Sequence, residues 1–425
     1  MMTENTRIPA AITTLAAFLL AALAVWVPSG YSYGALLLLL GALCFAPRWL
    51  RQRPEPATMW LALLLAGMGC MWFLLSLDLG VARWDKGSKW LLGVPCLFFI
   101  VAYPPQPRAF VAGLPIGCIG MGGLALWQTW GQGLERATGF TNAIQWGNAA
   151  LLLACMAMVC AAVFWRRRAW PWRLVMCLAA VAGMTASLLS QSRGGWLALG
   201  LVFPVLLWQA RQIRPRMFSR LLLASLGLLA VIGAVVLLTP SLNERVLLAE
   251  TEIQGYLNSG NGTTSVGNRL DQYRLVWQMI PQKPWFGWGA HGFVEEMQRR
   301  VANGEYPQTM LHYPQIHNDF LDVWVKVGIL GVLLQAALFA YVLYLFWPSP
   351  GRLRPWPEDS ADWHMALALR VMGSLMPVTF LMFGMSQPFF NHNSGIMVFV
   401  FYTIVLWAAL RGLERGVPSL SRTKG

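Results

Sequence analysis

The sequence predicts an all-α, polytopic membrane protein. Hydrophobic residues make up 57% of the 425 positions and charged residues only 12%, about half the charged fraction of an ordinary soluble domain. Apolar runs of roughly 15–25 residues recur along the chain, and helices of that length satisfy their own backbone hydrogen bonds in lipid. The runs lack the period-two alternation of transmembrane β-strands, which argues against a barrel.

The apolar runs define about twelve predicted spans. Basic segments follow spans 2, 6 and 8 ("RWLRQR", "RRRAWPWR" and "RQIRPRMFSR"), and a basic tail follows span 12. If the spans alternate, all four segments lie on one side, which the positive-inside rule makes cytoplasmic. We therefore expect both termini in the cytoplasm and no signal peptide at "MMTENTR". The predicted spans are 8–27, 31–46, 57–77, 88–103, 109–130, 147–165, 174–190, 195–210, 221–239, 319–346, 365–386 and 395–410.

One connection is long, and it divides the chain into three parts. Residues 240–316 separate spans 9 and 10 on the exoplasmic side, and loops of this length are uncommon unless they have a function. One helix is expected over 268–280, with Asn268 as its N-cap, and a second over about 292–302. The predicted organisation is transmembrane helices in 1–239, the loop in 240–316, and three further helices with a cytoplasmic tail in 317–425.

Several functional classes are disfavoured by the composition. All seven cysteines fall inside predicted spans, so we expect no structural disulfide and no cysteine metal site. The net charge of +14 is spread over separate loops. This pattern argues against nucleic acid and fits membrane topology, or attraction to anionic lipids and phosphate-bearing substrates. The glycines of "FGWGAHGF" indicate tight turns, because no strand precedes them as in a nucleotide-binding fold.

The stretch "HNDFLDVWVKVGILG" places one of only five histidines, His317, at the mouth of an apolar helix. Asn318 is a good N-cap for that helix, and Asp322 and Lys326 have the i,i+4 spacing of an intramembrane ion pair. Most single histidines are structural. Here the positive end of the helix dipole disfavours imidazolium, so the ring should stay neutral and able to accept a proton. His312 lies five residues earlier, without the regular spacing or third ligand of a zinc site.

Three exoplasmic arginines depart from the positive-inside trend, and two of them, Arg193 and Arg269, are candidates for binding an anion, whereas Arg274 is expected to be structural. Arg193, in "SQSRGGW" between spans 7 and 8, adjoins two glycines that permit close approach, and its planar guanidinium suits a diphosphate. Its alternative role is to reach a lipid phosphate from the membrane edge. Arg269 lies in the first turn of the loop helix. Arg274 lies about 140° further around that helix, so it points elsewhere, and it has Asp271 as an i,i+3 partner.

Taken together, these segments resemble the O-antigen ligase/polymerase superfamily. "HNDFLDVWVKVGILG" is similar to its H-N-x9-G segment through His317, Asn318, Gly328 and Gly331. "SQSRGGWLAL" resembles its S-R-G-G segment, and "GNRLDQYRLVWQMIPQKPWFGWGAHGF" resembles its R-x-x-x-W…P-x-x-G-x-G-x-x-x-F segment. The resemblance covers the second half of the chain in the same order. Residues 1–146 add only a compatible topology.

The resemblance implies a GT-C-like glycosyltransferase of the bacterial inner membrane. It would move a glycan from undecaprenyl diphosphate on the periplasmic face, without a metal or another cofactor. The single large loop is most similar to that of the ligases, whose acceptor is the lipid A–core oligosaccharide. His317 would be the catalytic base, Arg193 and Arg269 would bind the diphosphate, and Asn318 and Arg274 would support the site.

Two alternatives remain open at this point. A polymerase, or another transferase that uses lipid-linked glycans, would share the same motifs. A twelve-span transporter would account for the intramembrane Lys326 and Arg370. Tryptophans near the loop face would stack on sugars or anchor the protein in the membrane interface, namely Trp130, Trp146, Trp277, Trp285 and Trp288.

Overall fold

The fold is all-α in the part of the chain that a computed structural model describes, which confirms the predicted class. That part comprises residues 4–78, 84–215, 264–312 and 315–417, with scattered positions between 218 and 258, and no strand occurs in it. The helices used below are α1 (Glu4–Leu23), α2 (Gly30–Cys44), α3 (Pro56–Asp78), α4 (Asp85–Ala102), α5 (Pro107–Leu126), α6 (Ala143–Val163), α7 (Trp170–Leu189), α8 (Arg193–Trp196), α9 (Leu199–Ile213), α10 (Ser265–Met279), α11 (Gly289–Ala302), α12 (Asp319–Val327), α13 (Ile329–Phe346), α14 (Ala361–Gly384) and α15 (Asn393–Arg415).

Nine helical segments within the described residues are long and apolar enough to cross a membrane. They are α1, α3, α5 with its π-helical extension, α6, α7, α8 with α9, α13, α14 and α15. Predicted spans 2 and 4 correspond to α2, which has only 15 residues, and to α4, which carries three charges near its start. Most of predicted span 9, residues 221–239, lies outside the described residues, as does the boundary between 239 and 240.

The centre of the bundle is formed by α6, α14 and α15, whose residues are mostly buried. Close packing around this centre relies on small residues, as is common in membranes. A Cβ atom at Gly117 in α5 would lie 2.2 Å from the carbonyl oxygen of Ala21 in α1, and one at Gly122 would lie 2.9 Å from that of Ala182 in α7. These glycines therefore let α5 pack closely against two neighbouring helices.

Predicted span 10 is not one continuous helix. Only Ile329–Phe346 is long and apolar enough to cross a membrane, so the predicted bounds of 319–346 were wrong at their start. The helix is interrupted at Gly328, which has a φ of +83° and lies between α12 and α13. The turn before α11 supplies the backbone partners that the break exposes. Trp288 N donates to the carbonyl oxygen of Val325 at 2.8 Å, and Ile329 N donates to that of Pro284 at 2.8 Å.

The described part of the loop folds around its own small apolar core. Its members come from α10, α11 and the following turns, and Val325 of α12 completes it. The first loop helix begins three residues before the predicted start, because Thr264 and not Asn268 is its N-cap, with Thr264 Oγ1 accepting from Gly267 N at 3.0 Å. Asp78, at the end of α3, accepts from His291 N at 2.8 Å and links α11 to the bundle.

Two cations inside the bundle, Lys326 and Arg370, are paired with carboxylates of the protein. Lys326 Nζ lies 2.5 Å from Asp322 Oδ1, which confirms the predicted ion pair. Arg370 pairs with Glu414 and also donates to the carbonyl oxygen of Leu345 at 3.2 Å. Each intramembrane cation named in the transporter alternative thus has a structural partner.

Candidate active site

His317 lies in a tight turn that the start of α12 holds in place. Asn318 Oδ1 accepts hydrogen bonds from Phe320 N at 3.0 Å and from Leu321 N at 3.1 Å, so the predicted N-cap is confirmed. On the other side of the histidine, Ile316 N donates to Asp322 Oδ1 at 3.0 Å. The buried carboxylate that pairs with Lys326 therefore also fixes the backbone next to His317.

The first loop helix contacts the same turn from the loop side. His317 N donates to Gln272 Oε1 at 3.3 Å, and the hydroxyl of Tyr273 donates to the carbonyl oxygen of His317 at 3.0 Å. Gln272 Nε2 also donates to the carbonyl oxygen of Gln315 at 3.2 Å. Two adjacent residues of α10 thereby hold the backbone of His317, and the loop and the bundle together define the position of the imidazole ring.

The ring itself contacts a segment that the sequence analysis did not single out. His317 Nδ1 lies 3.0 Å from Gln387 Oε1, and Gln387 Nε2 lies 3.1 Å from His392 Nε2. Both residues belong to the connection between α14 and α15, and Gln387 is buried. The polar run "SQPFFNHN" between two apolar spans was the signal for this segment, because lipid-buried chains rarely carry so many polar groups together.

Burial of two aromatic rings fixes this connecting segment, residues 386–393. Phe389 and Phe390 both pack against Phe380 in a cluster of buried rings, with centroids 5.1 and 5.7 Å away. Asp319 Oδ2 accepts from Phe389 N at 2.9 Å, which joins the segment to the first turn of α12. The amide of Gln387 is thus positioned by the same helix start that carries His317.

The electrostatic surroundings keep the His317 ring neutral. Burial lowers the pKa of His317 below its ordinary value of 6.5, and the charge of Arg269 lowers it further. The hydrogen bond to Gln387 and the charge of Asp322 act in the opposite direction without cancelling the shift. The neutral ring agrees with the sequence analysis, although the structure adds burial and Arg269 to the helix dipole as causes.

The two arginines of α10 act on different groups, as their spacing predicts. The charge of Arg269 acts on His317 and on the hydroxyl of Tyr273. Arg274 is exposed and acts on Asp271, whose carboxylate also accepts from the hydroxyl of Tyr256 at 2.7 Å. Arg269 therefore belongs to the surroundings of His317, and Arg274 belongs to the outer side of the helix.

The packing of α8 places the backbone of Arg193 near this region. A Cβ atom at Gly194 would lie 2.1 Å from Ser386 Oγ, and one at Gly195 would lie 2.1 Å from Asn148 Oδ1. The two glycines were expected to permit the approach of a ligand, but the atoms that approach them belong to the protein. Their contacts bring the start of α8, and with it Arg193, beside the residue that precedes Gln387.

The sequence analysis also singled out turn glycines, tryptophans near the loop face and possible metal ligands. Gly287 and Gly289 have φ values of +69° and +73°, as expected for tight turns. Trp146 is fully buried and donates to the carbonyl oxygen of Val25 at 3.2 Å, so it cannot stack on a sugar. Trp277 and Trp285 are exposed on the loop. Within the ranges that the structure describes, no three His, Cys, Asp or Glu side chains group as metal ligands do.

A known family resembles the segment that holds most of this site, and one known protein resembles most of the chain. The model of the family described as "O-Antigen ligase" matches residues 178–336, which include Arg193, Arg269 and His317. An uncharacterized protein from Haemophilus influenzae is 26% identical over 377 residues, which are 87% of this chain and 91% of that protein. The family match confirms the resemblance that the sequence motifs indicated and supports the assignment of this chain to the O-antigen ligase superfamily.

Proposed function

We propose that the protein is a glycosyltransferase that joins an O-antigen polysaccharide, carried on undecaprenyl diphosphate, to the lipid A–core oligosaccharide. The reaction takes place at the periplasmic face of the bacterial inner membrane. The family match supports a glycosyl-transferring membrane enzyme of polysaccharide biosynthesis with lipid-linked glycan substrates. The specific donor, the acceptor and the side of the membrane are parts of the proposal.

The observation that carries the proposal is a half-buried histidine at the mouth of α12, held by hydrogen bonds with α10 and by Gln387. Burial and the charge of Arg269 lower the pKa of this histidine. In the proposed step, His317 Nε2 takes the proton of an acceptor hydroxyl as that oxygen bonds to the anomeric carbon. The bond between this carbon and the diphosphate oxygen breaks, and undecaprenyl diphosphate leaves. Arg193 and Arg269 stabilise the negative charge that develops on it, so no divalent metal is required.

A location at the membrane surface follows from the donor. Its diphosphate cannot enter the hydrocarbon, and its lipid tail cannot leave it. The reacting carbon is therefore confined to the interface, where a base at a helix mouth can reach it. The buried ion pair of Asp322 and Lys326 fixes the backbone beside this base, which is a structural role and not a transport path.

The test is transfer by the purified protein in liposomes that contain the lipid-linked O-antigen and lipid A–core, with a chelator present. We expect a covalent glycan–lipid A–core product and free undecaprenyl diphosphate. His317→Ala should lower the single-turnover rate by ~10²–10⁴-fold while donor binding survives. The matched control is His312→Ala, an exposed histidine of the same loop, which should keep a near-normal rate.

The possible results separate the alternatives. A lengthened lipid-linked glycan, formed without lipid A–core, would make the protein a polymerase with the same base. Movement of the donor without a new glycosidic bond would indicate a transporter. A near-normal rate in His317→Ala would remove the base from the mechanism. Loss of all transfer in the chelator, restored by one metal, would contradict the metal-independent step.

A further inference from the structure

Three polar side chains form a short chain of contacts behind the candidate base. Gln387 lies between two histidines, with its oxygen 3.0 Å from His317 Nδ1 and its nitrogen 3.1 Å from His392 Nε2. An amide oxygen only accepts hydrogen bonds, and an amide nitrogen only donates them. With the amide in this orientation, His317 carries its proton on Nδ1, and His392 Nε2 carries a lone pair.

The orientation of this amide decides which atom of His317 can take a proton. A neutral imidazole has one protonated and one unprotonated nitrogen, so a proton on Nδ1 leaves the lone pair on Nε2. If the amide were reversed, the proton of His317 would move to Nε2, and that atom would donate and no longer accept. The base chemistry therefore needs an accepting atom opposite Nδ1, which Gln387 provides.

The surroundings of His392 favour the form that this orientation requires. Burial lowers the pKa of His392, and the charge of Lys86 lowers it further. Lys86 is held nearby, because its Nζ donates to Asn391 Oδ1 at 2.7 Å and lies 5.1 Å from the centre of the Trp72 ring. A neutral His392 can accept from the amide nitrogen, whereas a protonated one would donate and turn the amide around.

We propose that Gln387 is a positioning residue that holds His317 in the Nδ1–H tautomer, and that His392 fixes the orientation of its amide. The relevance of this tautomer to catalysis rests on the proposed function. The tautomer itself does not, because it can be measured without any substrate. Gln387 touches the ring of the base and not the reacting atoms.

The experiment is ¹⁵N NMR of the purified full-length protein with ¹⁵N-labelled histidine. Only five histidines contribute signals, and single His→Gln variants assign them. His364 serves as an internal reference, because its Nδ1 lies 2.8 Å from the carbonyl oxygen of Ser360 and must carry a proton to donate there. At neutral pH, we expect His317 Nδ1 to show the shift of a protonated nitrogen, as His364 Nδ1 does, and His317 Nε2 to show the shift of an unprotonated nitrogen.

Substitutions of the amide then test its role. Gln387→Leu keeps the approximate shape but cannot accept, so His317 should shift to a mixture of tautomers. Gln387→Glu still accepts from Nδ1, so the Nδ1–H tautomer should persist. Ser386→Ala is the matched control in the same segment and should leave the tautomer unchanged. A proton on Nε2 in the wild type, or no change in Gln387→Leu, would overturn the proposal.

A rate measurement separates this inference from the proposed function. A ring released by Gln387→Leu still visits both tautomers. Its single-turnover rate should therefore fall by much less than the ~10⁴-fold loss seen when a catalytic histidine is locked in the wrong tautomer. Donor affinity should not change. If the tautomer responds to Gln387→Leu but His317→Ala keeps a normal rate, the base role is wrong and the tautomer assignment stands.

The pH dependence of activity in Gln387→Glu provides a second test, because substitution of a purely structural residue would not shift it. A carboxylate beside Nδ1 stabilises the imidazolium, so the loss of activity on acidification should begin at a higher pH. Among the described residues, the charged or titratable groups that already act on the ring include Arg269, Asp322 and His392. They are unchanged in the variant, so an unshifted pH profile would show that residue 387 does not contact the base.

Discussion

At the scale of single residues, two features of its surroundings favour the neutral form of the His317 ring. Burial and the charge of Arg269 both lower the pKa of His317. A base acts in its unprotonated form, so a lowered pKa extends activity towards acid. We therefore expect the acid limb of the kcat/KM profile, which reports the free enzyme, to lie below pH 6.5. The donor diphosphate is esterified at both ends and does not titrate in this range.

Arg269 provides a directional test of this account. Arg269→Gln removes a charge that lowers the pKa of His317, so the acid limb should move to higher pH as well as losing rate. Arg269→Lys keeps the charge, and its acid limb should stay in place. The matched control is Arg274→Gln on the same helix, because the charge of Arg274 acts on Asp271 on the outer side of that helix. Its acid limb should also be unmoved. An acid limb that is the same in all four proteins would contradict the electrostatic link.

The proposal that Arg193 and Arg269 together bind the diphosphate makes a prediction about the shape of their side chains. A guanidinium presents a planar fork of donors that matches phosphate oxygens, whereas an ammonium is a compact point charge. Lysine at Arg193 or at Arg269 should therefore restore little of the transfer that alanine at the same position removes. The measurement is donor affinity together with single-turnover rate. Normal turnover in the double lysine variant would show that positive charge suffices or that neither residue binds the donor.

At the scale of elements, the sequence predicted the helices better than their interruptions. In lipid, an apolar run has few stable structures besides a helix. The composition of the chain therefore predicts helices such as α1, α3, α6 and α15. The break at Gly328 could not be predicted in this way, because a glycine inside an apolar run is also tolerated in a continuous helix. Its cause is the turn at 284–288, whose backbone pairs with both sides of the break.

The residues of the candidate site also differ in whether the sequence alone can predict them. His317, Asn318 and Arg269 stand in local patterns that sequence alone can interpret. Gln387 lies 70 positions from His317, and only the contacts of the 386–393 segment with the start of α12 bring its amide to the ring. Local spacing carries no information on such a partner, although the polar run between the last two spans indicated that the segment was unusual.

The helix break itself can be tested with a single methyl group. A Cβ atom at Gly328 would lie 2.1 Å from the carbonyl oxygen of Trp285, and the φ of +83° with a ψ of −173° is a region that other residues rarely adopt. Gly328→Ala should therefore destabilise the protein by roughly 1–3 kcal/mol and loosen the loop from α12. The measurements are the midpoint of thermal unfolding in detergent and the rate of transfer.

Gly292 is the matched control for this substitution. It lies in α11 of the same loop, and a Cβ atom there would meet nothing within 4 Å. Gly292→Ala should be neutral, or stabilising by up to about 1 kcal/mol, because alanine loses less entropy in a helix. Equal midpoints and rates for the two variants would mean that the packing of the 284–288 turn does not fix the break.

At the scale of the whole molecule, the site unites distant parts of the chain on one face of the bundle. The loop helices, the start of α8 and the connection before α15 all meet near the mouth of α12. The second loop helix is also tied to α3 through Asp78. An 18-residue helix, α13, then leads from Gly328 to the opposite face, about 27 Å away.

The final prediction concerns which compartment the site faces. The basic segments after spans 2, 6, 8 and 12 predict that the loop is periplasmic, and a lipid-linked donor is the activated sugar available there. In a variant whose seven cysteines are replaced, Asn303→Cys in the exposed loop should react with an impermeant maleimide in intact spheroplasts. Glu358→Cys, exposed beyond the far end of α13, should react only after lysis. The reverse pattern would place His317 in the cytoplasm, where nucleotide sugars are available, and the requirement for a lipid-linked donor would lose its physical basis.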